Sequence, residues 1–173
     1  MTRVCCLSVL ACAMATPAFA QAANGSCKPV FDAMLKETMT PHHLVTTTDG
    51  APSGEAIATA DATYVKVRGE WRKSPMTPQA MLAQQQENIR DTTVASCTPL
   101  PDDVVDGKAA TVYQAHYEQK DLGASDAKVW IAKATGLPLR TDVSLQAGEK
   151  TSVVTHFDYD NIKAPIVKSS PAK

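Results

Sequence analysis

Two histidine–carboxylate pairs stand out among the residues whose types and spacing could do chemistry. His116 and Glu118 are two positions apart, and His156 and Asp158 repeat that spacing. In an extended chain, residues two apart project to the same face. If the two segments were neighbouring strands in register, two imidazoles and two carboxylates could hold a divalent transition metal. The favoured reading is plainer. These residues form the solvated convex face of a sheet, opposite Tyr113, Tyr117, Phe157 and Tyr159, because antiparallel sheets commonly leave one face to water. His42 and His43 are adjacent, so on a strand their rings diverge.

Other chemistry is weaker. Ser125-Asp126-Ala127-Lys128 has a Ser-x-x-Lys spacing. That nucleophile pair works at a helix start and needs a Lys-Thr-Gly strand. Here the serine precedes a strand pattern, and Lys133-Ala134-Thr135-Gly136 carries one residue too many. In Gly50-Ala51-Pro52-Ser53-Gly54 the serine comes one place late for a nucleophile elbow. No glycine loop of the phosphate-cradling kind is present. These residues point to a protein that is not an enzyme and needs no cofactor. The reading from a different class is an exported hydrolase or metal-binding protein that uses His116, Glu118, His156 and Asp158.

Cysteine usage points to a compartment. The chain has five cysteines; Cys5, Cys6 and Cys12 fall in its first apolar stretch, and Cys27 and Cys97 remain. An even pair in an exported chain is expected to oxidise to one disulfide. Two buried thiols or two metal ligands are the other readings. No Cys-x-x-Cys or neighbouring histidine spacing supports zinc.

These residues need elements to position them. Cys27, Val30, Phe31, Met34 and Leu35 recur at helical spacing, which predicts a helix over about Cys27 to Thr38, with Ser26 able to cap it. A second helix is predicted from Thr77, an N-cap followed by Pro78, with Met81, Leu82, Gln85 and Ile89 inward. Its Gln84 to Asn88 run is too polar for burial on all sides, so it lies on a surface or acts as a lid. The rest alternates as strands: Leu44–Thr48, Glu55–Ala60, Thr63–Arg68, Glu70–Lys73, Val104–Val105, Ala109–Glu118, Ala127–Ala132, Leu137–Leu145 and Thr151–Tyr159. Lys120 to Asp126 reads as a loop. The predicted class is α+β: one strongly curved antiparallel sheet, an unclosed half-barrel of about eight or nine strands, with two helices on its concave side.

Charge and targeting narrow the role. The chain of 173 residues carries 17 Lys+Arg and 18 Asp+Glu. No basic patch is present to draw nucleic acid or anionic lipid head groups, and no later segment is apolar for long enough to be transmembrane. Met1 to Ala20 reads as a secretory signal, with Arg3, an apolar run and an Ala18-Phe19-Ala20 cleavage pattern. The mature protein is expected to begin near Gln21 and to work in the periplasm or outside the cell. A competing reading takes Val9-Leu10-Ala11-Cys12 as a loose lipobox, which would leave Cys12 lipidated. After the signal come a flexible tail over 21–25, one domain over 26–167 and a polar tail over 168–173, about 150 residues in all, the usual size of one domain.

Val129-Trp130-Ile131-Ala132-Lys133-Ala134-Thr135-Gly136-Leu137-Pro138-Leu139-Arg140 and the later Phe157-Asp158-Tyr159-Asp160-Asn161-Ile162 carry a resemblance. A strand ending Trp-Ile, a Thr-Gly turn and Leu-Pro-Leu-Arg is similar to the paired strands of the LolA/LolB-like superfamily of lipoprotein carriers and lipid-binding lipoproteins. The resemblance covers chiefly residues 104–166. It implies an unclosed barrel whose helix-lidded concave side can hold acyl chains. The chain departs from the pattern in its alanine-rich strands and in lacking a counterpart of the carriers' cationic contact.

The candidate ligand groove follows. From the helices it takes Phe31, Met34, Leu35, Met81 and Leu82. From the strands it takes Val65, Val67, Tyr113, Tyr117 and Phe157, with Trp71 and Trp130 as large aromatic walls. The expected partner is a lipid or acyl chain, or an envelope protein that uses the same surface.

Overall fold

Turn chemistry and alternation organise the chain into two antiparallel meanders. The computed structural model describes residues 25–119, 123–145 and 150–167. The expected signal segment, Cys12 and the C-terminal tail over 168–173 lie outside the described residues. The first meander is β1 (His42–Thr48), β2 (Ala51–Ala58), β3 (Thr63–Val67) and β4 (Glu70–Lys73). The second is β5 (Thr92–Val105), β6 (Lys108–Gln119), β7 (Gly123–Ala132), β8 (Pro138–Leu145) and β9 (Thr151–Asp158). Asp49-Gly50 and Asp106-Gly107 both hold positive φ, as the central pair of a tight two-residue hairpin requires.

Pairing of β1 with β9 joins the meanders into one nine-stranded sheet of order β4-β3-β2-β1-β9-β8-β7-β6-β5. Every pairing is antiparallel. The sheet does not close, because β4 and β5 are its two edges. This is the α+β half-barrel that the sequence predicts.

Helix α1 (Lys28–Thr38) precedes the sheet, and helix α2 (Pro78–Arg90) joins β4 to β5. A connection between the two edge strands has to span the sheet, and α2 makes it, touching β3 through Met81. Its start is as expected: the Thr77 side chain accepts a hydrogen bond from the Ala80 amide, and Pro78 occupies the first turn. Ser26 does not cap α1. Cys27 is the cap residue, and the Ser26 hydroxyl accepts a hydrogen bond from the Cys97 amide on β5 instead.

Three strand readings change. β2 starts at Ala51, four residues before the expected Glu55, and ends at Ala58 rather than Ala60. β5 is 14 residues long, whereas alternation marks only Val104–Val105. Pro99 and Pro101 conceal it. Proline is tolerated on an edge strand, where one row of amides has no ladder partner, and the register shifts between Leu100 and Asp103. Of the loop expected over Lys120 to Asp126, residues 123–126 belong to β7, and residues 120–122 lie outside the described residues.

Candidate functional site

Helix α1 sits on the inner face of the sheet through small side chains. Cys27, Val30 and Ala33 pack on Ala95, Cys97, Ala115, Ala127, Val129 and Ile131. Alanines on the strands let the helix approach closely, so the space directly beneath α1 is filled. The Cys27–Cys97 disulfide pins its start to edge strand β5, with Cα atoms 4.9 Å apart. The predicted inner face is thereby rotated: Ala33 is buried, whereas Phe31, Met34 and Leu35 are only half-buried. Phe31 lies 5.9 Å from Tyr117, ring centre to ring centre, in a stacked arrangement.

The far end of α1 is held by a buried polar pair. His42, 4 % exposed, places Nε2 2.7 Å from Glu37 Oε1 and Nδ1 2.8 Å from the Thr40 carbonyl oxygen. Its ring lies beside Phe157 and Tyr159. Burial disfavours charge on this ring, but the Glu37 hydrogen bond and charge and the Thr40 carbonyl outweigh it and raise its pKa above the usual 6.5. Tyr159 donates to the Pro138 carbonyl, and burial raises its pKa.

Register settles which predicted groove residues share a face. Val65 opposes Ala56, Ala56 opposes Leu44, and Leu44 opposes Phe157. Across the other half, Thr155 opposes Thr141, Thr141 opposes Val129, and Val129 opposes Tyr113. Val65, Val67, Tyr113, Tyr117 and Phe157 therefore all project to the inner, helix-bearing face. On α2, Met81 and Leu82 are half-buried, and the Met81 sulfur accepts a hydrogen bond from Thr63 on β3 at 3.3 Å.

The two tryptophans do not belong to this groove. Trp71 opposes Lys66, and Trp130 opposes Val112 and Arg140, each out of phase with the inner set. Both lie on the outer face. Trp130 is 4 % exposed in a second apolar cluster with Ala110, Val112, Ala132 and Leu139. Lys128 Nζ stands 4.5 Å and Arg140 Cζ 4.8 Å from its ring centre, and its Nε1–H donates to Asp103 at 3.0 Å. That hydrogen bond lowers the Asp103 pKa. Trp71 lies beneath the Lys66 ammonium, 5.4 Å from it.

The histidine–carboxylate pairs do not converge either. All four residues share the outer face, but β6 and β9 are separated by β7 and β8, three strand spacings or ~14 Å. His116 instead bonds Asp126 on the neighbouring strand at 2.8 Å, with Glu118 at 3.6 Å, and the Asp126 bond leads in raising its pKa. His156 and Asp158 are exposed. Among the described residues no group of three His, Cys, Asp or Glu is placed to hold a metal ion. The four-residue metal or hydrolytic reading has no geometry behind it.

Unfilled space flanks α1. A cleft of about 200 Å³ between the two helices and the sheet is lined by Phe31, Met34, Gln85, Asn88, Ile89, Thr92, Tyr117 and Gln119. On the other side, about 380 Å³ lies between α1 and β6–β7, bordered by Ala33, Lys36, Tyr113, Ile131 and Lys133. A third cleft of about 600 Å³ continues past Ala132 and Lys133 to Leu137, Leu139, Tyr159 and Lys108 at the end of the sheet. The lysines there are paired, Lys108 with Asp160 and Lys133 with Asp102. Sequence reasoning missed this end cleft, since nothing local signals that the β9 exit meets the start of β6.

No family model and no curated protein matches the chain. Solved structures do resemble it. The Mycobacterium tuberculosis lipoprotein LppX is similar at 12 % identity and TM-score 0.48, over 83 % of this chain and 98 % of that one. LprF from Mycobacterium bovis is similar at 13 % identity and TM-score 0.47, over 88 % and 98 % of the two chains. A LolA superfamily protein from Nitrosomonas europaea is similar at 7 % identity and TM-score 0.29, over 84 % and 95 %. At these values the likeness is one of fold outline. The architecture itself, an unclosed antiparallel half-barrel with helices on its inner face, is the one that the LolA/LolB-like resemblance in the sequence implies.

Proposed function

We propose that this is an exported binding protein, processed near Ala20, that holds an apolar ligand, an acyl chain or lipid, between α1, α2 and the inner face of the half-barrel, without catalysing a reaction. One observation carries the reading. Helix α1 rests on the sheet through its small residues, so its large apolar ones, Phe31 and Met34, stand beside unfilled space rather than beneath the helix. A core built only for stability would bury these larger side chains, since each contributes roughly 1.5–3 kcal/mol when fully buried. The half-buried Phe157, Met81 and Leu82 extend the same inner surface, and the exposed Val65 stands at its open margin.

No described helix is long and apolar enough to cross a membrane, which fits a ligand that is carried rather than a chain that is inserted. The test is mass spectrometry of an organic extract of protein purified from the periplasm, together with titration of a fluorescent apolar probe. A lipid enriched in stoichiometric amount, displaced by the probe, is the expected result. An extract with no enriched lipid and a probe that does not saturate would overturn the reading and leave an envelope-protein partner as the occupant of this surface.

A further inference from the structure

Two of the clefts beside α1 run into one another. The cleft between α1 and β6–β7 and the larger one at the end of the sheet share Ala132 and Lys133 as walls. The end cleft, about 600 Å³, lies within the ~300–1,000 Å³ of a small-molecule site. Ala109, Ala132, Leu137, Leu139 and Tyr159 give it an apolar lining. The one polar atom of the Tyr159 ring is already engaged, since its hydroxyl donates to the Pro138 carbonyl oxygen at 2.7 Å. An apolar body placed against that ring therefore leaves no hydroxyl unbonded.

The charges around the joined clefts do not cancel. Asp32 pairs with Lys28, Asp160 with Lys108 and Asp102 with Lys133. Among the described residues Lys36 forms no ion pair. Its ammonium donates to the Thr135 carbonyl oxygen at 2.5 Å, which engages one of three N–H groups. Lys36 is exposed and borders the first cleft, and Thr135 borders the second, so the spare charge stands at their junction. The signal is local: one unpaired cation beside an apolar cleft, in a chain whose charges otherwise nearly balance.

We propose that the joined clefts form a binding site for a singly charged anionic amphiphile, separate from the cleft between the two helices. The anionic group meets Lys36 at the junction, and the apolar chain lies along Ala132, Leu137, Leu139 and Tyr159. A neutral head group gains nothing from Lys36. A second negative charge would find Lys108 and Lys133 already taken by Asp160 and Asp102. The site does not depend on what the cleft between the helices holds.

The experiment is titration calorimetry of protein purified from the periplasm, with each ligand kept below its micelle threshold. The ligands are laurate, 1-lauroyl-lysophosphatidylglycerol and monolauroylglycerol, which share one acyl chain; the first two carry a single negative charge. The wild type should bind at least one anion about fivefold more tightly than the neutral ester at low ionic strength, the upper end of what an exposed ion pair supplies. That preference should shrink as salt is added. Lys36→Gln should abolish it and Lys36→Arg should keep it. Ala109 is exposed on the lining, so Ala109→Trp fills the end cleft without touching the core and should remove the Lys36-dependent binding. Asn88→Trp fills the cleft between the helices instead and should leave that binding unchanged. Preference for laurate alone supports the site with a free fatty acid as its source, and preference for the phosphodiester alone supports it with a lipid head group. Equal affinity for anions and neutral ester, or a preference that survives Lys36→Gln, would overturn the site. Binding lost in Asn88→Trp and kept in Ala109→Trp would also overturn it, while supporting the binding reading above. A wild type that binds none of the three ligands would overturn both.

Discussion

The disulfide joins α1 to an edge strand across 70 residues of sequence. The loop it closes contains α1, β1 to β4, α2 and the first half of β5. In the chain-entropy account, closing a loop of that length lowers the entropy of the unfolded chain enough to stabilise the fold by about 4 kcal/mol at room temperature. The folded state should change little on reduction, because Cys27 is 0 % and Cys97 7 % exposed and both thiols would remain packed among Val30, Ala95 and Ala115. The effect therefore acts through the unfolded ensemble. Urea unfolding monitored by circular dichroism, with and without a phosphine reductant, should show a loss of about 4 kcal/mol. The denaturant slope should also rise, since an uncrosslinked chain exposes more surface. The double variant Cys27→Ala, Cys97→Ala should reproduce both effects. A loss below about 1 kcal/mol with an unchanged slope would refute the loop-entropy reasoning.

Two further outcomes follow from the inner and outer faces. Both ring nitrogens of His42 face acceptors, so the folded protein favours the doubly protonated ring. Because the folded pKa is raised above 6.5, its stabilisation is fully present below that value and is lost as pH rises through the folded pKa. The melting temperature of the wild type relative to His42→Gln should fall over that window, and a difference that grows towards alkaline pH would contradict the geometry. Trp130→Ala removes a buried outer-face ring and should cost ~3–5 kcal/mol in urea unfolding while leaving lipid affinity unchanged; a loss of affinity in the folded variant would place Trp130 back in the groove.

Much of the architecture is legible in local sequence because its causes are local. Thr77-Pro78 starts a helix through hydroxyl capping and a missing amide that costs nothing there. Asp49-Gly50 and Asp106-Gly107 reverse the chain because they accept positive φ. Alternation along β6 and β9 separates Tyr113, Tyr117 and Phe157 from His116, His156 and Asp158, and the inward helical position of Cys27 suits a disulfide. What local sequence could not decide depends on partners distant along the chain. Alternation says that Trp130 faces away from Val129, but only the tertiary register determines which of the two faces meets α1. The same register puts two strands between the histidine pairs. β5 stayed hidden because Pro99 and Pro101 are permitted only at an edge, and strand order alone makes that strand an edge. The rotation of α1 onto Ala33 follows from alanines on three different strands meeting under one helix. The clefts beside it come into being only when those surfaces meet, because empty space belongs to an arrangement of residues and to none of them singly.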